Sequence, residues 1–208
     1  MILLESDSHS GLLKQILHTD RWLFTRINQD WTSSFADSVF PFLREAELWT
    51  PFYLFLWVFI TVNFRKKGWF WALSLIMTAI ISDLISSSII KNLVIRTRPC
   101  RDLSLIDSIR FLVNYCPSSS SFVSSHACNH FAIATFIYLT LRSTSRWWVL
   151  IFVWAALISY AQVYVGVHYP GDIICGAILG SLIGLTTSRV FRLQFGTLHL
   201  QSYNHSHA

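Results

Sequence analysis

The sequence has 208 residues, of which 53% are hydrophobic and only 13% are charged. Soluble domains carry about 25% charged residues, so this composition argues against a soluble enzyme and indicates an integral membrane protein. The net charge of +5 is modest, and the basic residues lie between apolar runs, a pattern typical of membrane topology rather than of nucleic-acid binding.

Residues 1–47 precede the first apolar run and predict two interfacial helices. Apolar residues between Leu12 and Ile27 recur at helical spacing among charged ones, which is typical of an amphipathic helix on the membrane surface. An ordinary helix packed on the bundle is the alternative. A second short helix is predicted over Phe35–Arg44. Charged residues interrupt residues 1–20, so we expect no cleavable signal peptide there.

Five apolar runs follow, and each is long enough, or nearly so, to cross a hydrocarbon core that needs about 20 residues. They are Leu48–Phe64, Trp69–Ile90, Ala127–Leu141, Trp147–Val167 and Gly171–Phe191. The third reaches spanning length only if its helix starts near Ser124. The predicted fold is an all-α, polytopic membrane helix bundle. We expect a single domain with its transmembrane core over 48–191 and a cytoplasmic tail over 192–208.

Three basic groups fall on the same side of the membrane if every run crosses once. They are Arg65-Lys66-Lys67, Arg142 with Arg146, and Arg189 with Arg192. Because positive residues favour the cytoplasm, we expect that side to be cytoplasmic. A fourth basic cluster breaks this rule on the opposite side, and an anionic ligand explains it better than topology does. It consists of Lys91, Arg96, Arg98 and Arg101.

The longest connection, residues 91–123, lies between the second and third runs. Loops of this length in a compact bundle are usually functional. It begins with the basic cluster and ends shortly after the serine run Ser118–Ser121. A disulfide between Cys100 and Cys116 would pin this loop in an oxidising compartment, and two free thiols are the alternative.

A histidine and an aspartate stand at the mouth of the last run. Ionisable groups at the edge of an apolar span are costly and therefore indicate function. Pro170 suits the first turn of a helix, so the helix is predicted to begin there, with His168 at its positive end. Asp172 would accept a hydrogen bond from one imidazole nitrogen and leave the other free to attack.

Two further elements on the same side would cradle an anion. Lys91 and Arg98 are seven residues apart, so a helix would project both from one face until it ended near Pro99. Ser124-Ser125-His126 opens the third run, where hydroxyls and free N–H groups bind anions. Each element alone has a structural explanation. Together they predict phosphate chemistry, in which one histidine attacks phosphorus and a second protonates the leaving alkoxide.

These motifs (Lys-x6-Arg-Pro, Ser-x-His and His-x3-Asp) together resemble the signature of the type 2 phosphatidic acid phosphatase superfamily, over roughly residues 48–190. The resemblance implies hydrolysis of a lipid phosphate or diphosphate through a phosphohistidine, without metal or cofactor. It implies that His168 is the nucleophile, that Asp172 orients it and that His126 is the general acid. The phosphate-binding positions would be Lys91, Arg98, Ser124, Ser125 and Gln162.

Two positions depart from the family pattern. The middle motif, usually Pro-Ser-Gly-His, here reads Val123-Ser124-Ser125-His126. The third motif usually has Ser-Arg where this chain has Ala161-Gln162, and a neutral amide replaces a forked cation. Either Arg96 or Arg101 substitutes for that cation, or the substrate charge is neutralised less strongly, or activity is low.

The expected substrate is a polyprenyl diphosphate, followed by phosphatidylglycerol phosphate and phosphatidic acid, on the extracytoplasmic face of the inner or plasma membrane. The expected partners are this lipid and the bilayer, not nucleic acid, and the oligomeric state stays open. One alternative is a non-enzymatic lipid-phosphate binder or transporter. Another is a metal-binding membrane protein that uses His126, His130, His168 and Asp172, although the basic cluster would repel a dication.

Overall fold

The computed structural model describes residues 2–3 and 11–199. These residues form seven α-helices and one pair of very short parallel strands. In chain order they are β1 Ile2–Leu3, α1 Gly11–Thr25, α2 Ser34–Leu43, α3 Thr50–Asp83, α4 Lys91–Leu93, β2 Val94–Ile95, α5 Ser125–Leu141, α6 Ile151–Tyr164 and α7 Pro170–Phe195. Ile2 pairs with Val94. The predicted all-α membrane bundle is confirmed, with this two-residue ladder added.

Helix α3 is a hairpin of two helices that meet at Arg65, where the backbone leaves helical geometry (φ 50°, ψ −124°). The rings of Trp57 and Trp69 lie 5.5 Å apart, whereas a continuous helix would separate them by about 18 Å. A Cβ atom at Gly68 would lie 2.4 Å from the Ile60 carbonyl oxygen. The first two predicted spans therefore run antiparallel, with the basic segment at their turn.

Among the described residues, three helical stretches are long and apolar enough to cross a membrane: Ala46–Leu93, which contains the hairpin, Arg146–Tyr164 and Pro170–Phe195. Helix α5 lies among them with most of its residues buried. These apolar helices support a membrane location. That the chain crosses the bilayer five times stays a prediction.

A stripe of three glycines brings α7 into close contact with α5. Gly176, Gly180 and Gly184 face α5, and a Cβ atom at Gly180 would lie 2.0 Å from the Cys128 carbonyl oxygen. Small residues allow membrane helices to approach this closely. The contact places the first turns of the two helices side by side, because the N–H of Ser124 donates to the carbonyl of Asp172 at 3.1 Å.

The N-terminal helices hold the outer loop against the bundle. The buried side chain of Asn28 donates to the carbonyls of Arg110 and Tyr164, both at 2.8 Å, and accepts from the N–H of Arg110 at 2.9 Å. Both predicted helices are present, and Ser33 caps α2 by accepting from the N–H of Ala36. Their position on the membrane surface stays a prediction.

The predicted disulfide of the outer loop is present. Cys100 and Cys116 are bonded, with their Cα atoms 6.2 Å apart, and this bond restrains the loop between them.

The last helix is longer than predicted. Helix α7 continues to Phe195, four residues beyond the predicted span. Arg192 lies in its last turn, where a positive charge is favourable at the negative end of the helix dipole. Residues 196–199 of the predicted tail follow the helix, and residues 200–208 lie outside the described residues.

Candidate active site

The imidazole of His168 is buried in the turn between α6 and α7. Its Nδ1 lies 3.5 Å from Oδ2 of Asp172, and its Nε2 lies 2.9 Å from Nη1 of Arg98. Because a guanidinium can only donate, we assign Nε2 as the acceptor and place the proton on Nδ1, which faces the carboxylate. The unshared electron pair of Nε2 therefore points towards the cation.

The carboxylate of Asp172 is fully buried at the start of α7. Its Oδ2 accepts hydrogen bonds from the N–H of Tyr169 at 3.0 Å and from the hydroxyl of Ser121, and its Oδ1 pairs with Nη1 of Arg96 at 2.7 Å. The positive end of the helix also favours a negative charge in the first turn. These partners hold the aspartate ionised and fix its direction towards His168.

Arg96 connects this carboxylate to α1. Its Nη2 lies 2.6 Å from Oδ2 of Asp20, whose Oδ1 accepts from the N–H of Gly171 at 2.7 Å. The guanidinium also lies over the ring of Tyr169, 4.2 Å from its centroid. Although burial acts against the charge, Asp172 and Asp20 raise the pKa of Arg96. Arg96 is therefore engaged by two carboxylates and is poorly placed to replace the missing cation at position 162.

Arg98 is 3% exposed and donates hydrogen bonds to two segments of the site, the outer loop and the turn before α7. Its Nε donates to the carbonyl of Ser119 at 3.0 Å and its Nη1 to the carbonyl of Val167 at 3.1 Å. Burial, joined by the charges of Arg44 and Arg101, lowers the pKa of Arg98 to about 10 against the opposite effect of Asp172. The group stays cationic at neutral pH.

The prediction that Lys91 and Arg98 project from one helix face is wrong. The helix ends at Leu93, because Val94 and Ile95 are extended and pair with β1. Arg98 itself is extended (ψ 152°) before Pro99, as the following proline favours. The two cations nevertheless reach the same region, since the charges of both act on His168.

Lys91 and His126 approach the site from the ends of α4 and α5. The half-buried amine of Lys91 makes no hydrogen bond or ion pair within the part of the chain that the structure describes, and its charge acts on both His126 and His168. His126 lies in the first turn of α5, with its ring parallel to that of His130 at 6.4 Å between centroids. The charges of His126 and His168 also act on each other.

Three polar residues of the predicted phosphate site have different surroundings. The hydroxyl of Ser124 caps α5 by accepting from the N–H of Ala127 at 3.4 Å. The hydroxyl of Ser125 and both amide atoms of Gln162 are buried and have no hydrogen-bond partner among the described residues. Only the backbone of Gln162 reaches the histidine, because its carbonyl accepts from the N–H of His168 at 3.2 Å.

The surroundings of His168 keep its imidazole neutral. Burial lowers its pKa to about 4, with the cations Arg98 and Lys91 acting in the same direction and Asp172 acting against them. A neutral imidazole at pH 7 has the free electron pair that a nucleophile requires.

The residues of the metal-binding alternative have other neighbours in this structure. Within residues 2–3 and 11–199, no group of three or more His, Cys, Asp and Glu side chains could hold a metal ion. Nδ1 of His130 lies 2.8 Å from the carbonyl of His126 in its own helix. Nε2 of His168 faces Arg98, whose charge would repel a dication.

Sequence reasoning missed two residues of the site. Ser121 closes the serine run and donates a hydrogen bond to Asp172, but the run as a whole indicated only a polar loop. Asp20 resembled any carboxylate on the polar face of an amphipathic helix. Their contacts depend on tertiary packing, which no local spacing reveals.

The fold and this site together define an integral-membrane phosphatase. Residues 67–195 match the family model of the PAP2 superfamily, and the chain belongs to that family, whose enzymes hydrolyse phosphate esters or diphosphates. It is similar to the lipid A 4'-phosphatase of Bacteroides thetaiotaomicron, with 32% identity over 155 residues that cover 73% of this chain and 68% of the relative.

Two further relatives cover different extents of the chain. An undecaprenyl-diphosphatase of Sulfolobus acidocaldarius is 36% identical over 81 residues, which are 38% of each protein. The crystal structure of LpxE from Aquifex aeolicus superimposes with a TM-score of 0.62 and 25% identity, over 81% of this chain and 94% of that one. The fold and the family pattern therefore extend over most of the described residues.

Proposed function

We propose that this protein removes phosphate from a membrane lipid, without a metal ion, through a phosphohistidine formed on His168. The observation that carries the proposal is the orientation of that imidazole. Its Nδ1 faces the carboxylate of Asp172, and its Nε2 faces the guanidinium of Arg98. A phosphate bound by Arg98 would take over the hydrogen bond that its Nη1 makes to Nε2, and this would free the electron pair of the neutral imidazole to attack phosphorus.

In this mechanism Nε2 of His168 attacks phosphorus in line while the bond to the lipid oxygen breaks. Arg98 and Lys91 bind the phosphate oxygens and stabilise their charge. The negative charge of the bound phosphate favours protonation of His126, which then gives its proton to the leaving alkoxide. Asp172 holds the imidazole in place and stabilises the positive charge that forms on it. His126, now neutral, takes a proton from water, which attacks the phosphohistidine and releases inorganic phosphate.

We rank a phosphorylated glycolipid of the lipid A class first among substrates, ahead of the polyprenyl diphosphate expected from the sequence. The support is the lipid A 4'-phosphatase relative, which matches 73% of this chain. A polyprenyl diphosphate is the second candidate, favoured by the shorter match to an undecaprenyl-diphosphatase. Phosphatidylglycerol phosphate and phosphatidic acid complete the set.

A phosphate-release screen tests the function. The purified full chain in detergent, with a strong chelator present, would be given each of these lipids, beside the variant His168→Ala. We expect release from at least one lipid, inhibition by vanadate and no release by the variant. Binding without turnover would favour the non-enzymatic alternative, and loss of activity on chelation would favour a metal enzyme.

We further propose that residues 1–208 form a single membrane domain, whose transmembrane core over 48–191 crosses the bilayer five times and opens its site to the extracytoplasmic face of the inner or plasma membrane. The Cys100–Cys116 disulfide on the side of the site suits an oxidising compartment. The hairpin turn near Lys66 is basic, and positive residues favour the cytoplasmic side. A tag inserted between Lys66 and Lys67 should resist protease in intact cells and become accessible after lysis. Cleavage in intact cells would refute this orientation.

A further inference from the structure

Arg44 is a half-buried cation at the end of α2. Its Nε is buried and has no hydrogen-bond partner among the described residues. Within that part of the chain Arg44 forms no ion pair, although the charge of the neighbouring Glu45 acts on it. A buried N–H without an acceptor is costly, and an anion bound at this place would supply one.

Aromatic contacts fix the end of α2 near the start of α5. The indole N–H of Trp49 donates to the carbonyl of Leu43 at 2.9 Å, and the ring of Trp49 packs edge-on against Trp154 at 5.5 Å. Trp154 in turn packs against His130 at 4.9 Å, one helical turn below His126. These contacts connect the end of α2, through Trp49 and Trp154, to the first two turns of α5.

Electrostatic contacts agree with this placement. The charge of Arg44 acts on His126 and also on Arg98, which belong to the two halves of the site. Arg44 is thus a third cation near the phosphate position, in addition to Lys91 and Arg98. Its stem comes from the N-terminal region, which lies outside the segment 67–195 that matches the family.

The site needs such a cation because Gln162 occupies the position where the family pattern has arginine. The two substitutes considered from the sequence do not fit. Arg96 is paired with Asp172 and Asp20, and Arg101 is exposed, with its Nη2 3.3 Å from the carbonyl of Cys116.

We propose that Arg44 binds the phosphate group of the substrate and supplies the positive charge that Gln162 lacks. This inference rests on the proposed function, since it assigns a further substrate-binding residue to the same site. The neutral amide of Gln162 then remains available to donate a hydrogen bond, beside a guanidinium that arrives from a different helix.

Four variants test the inference. Arg44→Gln should lower kcat/KM for the best lipid of the screen by roughly 10- to 100-fold, the range for a lost charged hydrogen bond, whereas Arg44→Lys should lower it less. The matched control is Arg26→Gln, which removes an exposed cation of the same N-terminal region and should leave kcat/KM unchanged. The double variant Arg44→Gln with Gln162→Arg should recover most of the loss.

Wild-type kcat/KM in Arg44→Gln would overturn the inference, and so would a double variant no faster than Arg44→Gln alone. A measurement of inorganic phosphate binding tests the role of Arg44 separately from the proposed phosphatase activity, because binding requires no turnover. In the His168→Ala background, Arg44→Gln should weaken inorganic phosphate binding several-fold. If Arg44→Gln weakened phosphate binding but the wild-type protein released no phosphate from any lipid of the screen, the proposed function would be refuted and Arg44 would remain an anion ligand. Unchanged binding would refute the inference.

Discussion

Nη1 of Arg96 lies 2.7 Å from Oδ1 of Asp172, and both side chains are buried. This pair gives one member of the basic cluster a positioning role instead of a substrate-binding role. The other end of the same guanidinium lies on Asp20 of α1. The N-terminal helix is therefore connected through two ion pairs to the carboxylate that faces His168.

Asp20→Asn tests this connection. The amide would keep the shape of the side chain but remove one charge from the Arg96 pair, so Asp172 would be held less firmly. Because Asp20 touches no substrate in this account, we expect kcat to fall by roughly tenfold with KM nearly unchanged, in steady-state kinetics. Asp30→Asn, which alters an exposed ion pair of the same region, is the control. A rise in KM at constant kcat would contradict a positioning role.

Asp172→Asn should have a larger effect. The amide cannot stabilise an imidazolium and can hold His168 in the wrong tautomer, so we expect kcat to fall by roughly 10²- to 10⁴-fold, by analogy with the orienting carboxylate of a catalytic triad. Single-turnover phosphate release measures this directly, with the exposed Asp107→Asn as the matched control. A variant with the kcat of the wild type would remove Asp172 from the mechanism.

The pH dependence of kcat/KM tests the pairing of His168 with Arg98. Burial and nearby cations lower the pKa of His168 to about 4, so the neutral nucleophile should persist down to about that pH. Removing a positive neighbour makes protonation easier and raises the pKa. In Arg98→Gln the acidic limb of the profile should therefore move to higher pH, and kcat/KM should fall at every pH. An unmoved limb would show that the guanidinium does not act on this imidazole.

Gly180→Ala tests the contact between α5 and α7. The added methyl group would lie 2.0 Å from the Cys128 carbonyl oxygen. Because this is a backbone atom, it cannot move away as the end of a flexible side chain could. We expect a loss of about 1–3 kcal/mol in the free energy of unfolding, seen as a lower Tm in detergent. Gly11→Ala has open space around it and should leave Tm unchanged. Equal Tm values would mean that the helices are not in close contact.

Features set by neighbouring residues could be predicted from the sequence. Pro170 begins α7 and Ser124 caps α5, because helix starts depend on local hydrogen bonding and on the geometry of proline. The four-residue spacing between His168, just before α7, and Asp172, in the first turn of α7, is equally local. These local signals were sufficient to predict the helix bundle and the pairing of His168 with Asp172.

Other features depended on contacts between distant segments. The sequence predicted a helix through Arg98, but the pairing of Val94 with Ile2 ends it early. Asp20 contacts Gly171 across 151 positions, and nothing in the amphipathic pattern of α1 distinguishes it from a solvated carboxylate. The engagement of Arg96 likewise appears only when α1, the outer loop and α7 are packed together.

The most direct test of the central claim is to trap the phosphorylated enzyme. The protein would be mixed with a lipid carrying ³²P in its phosphate, quenched in alkali, and digested for mass spectrometry. We predict an acid-labile, alkali-stable label on His168 that is absent from His168→Ala. A label on another residue, or phosphate release by His168→Ala at the rate of the wild type, would contradict the account.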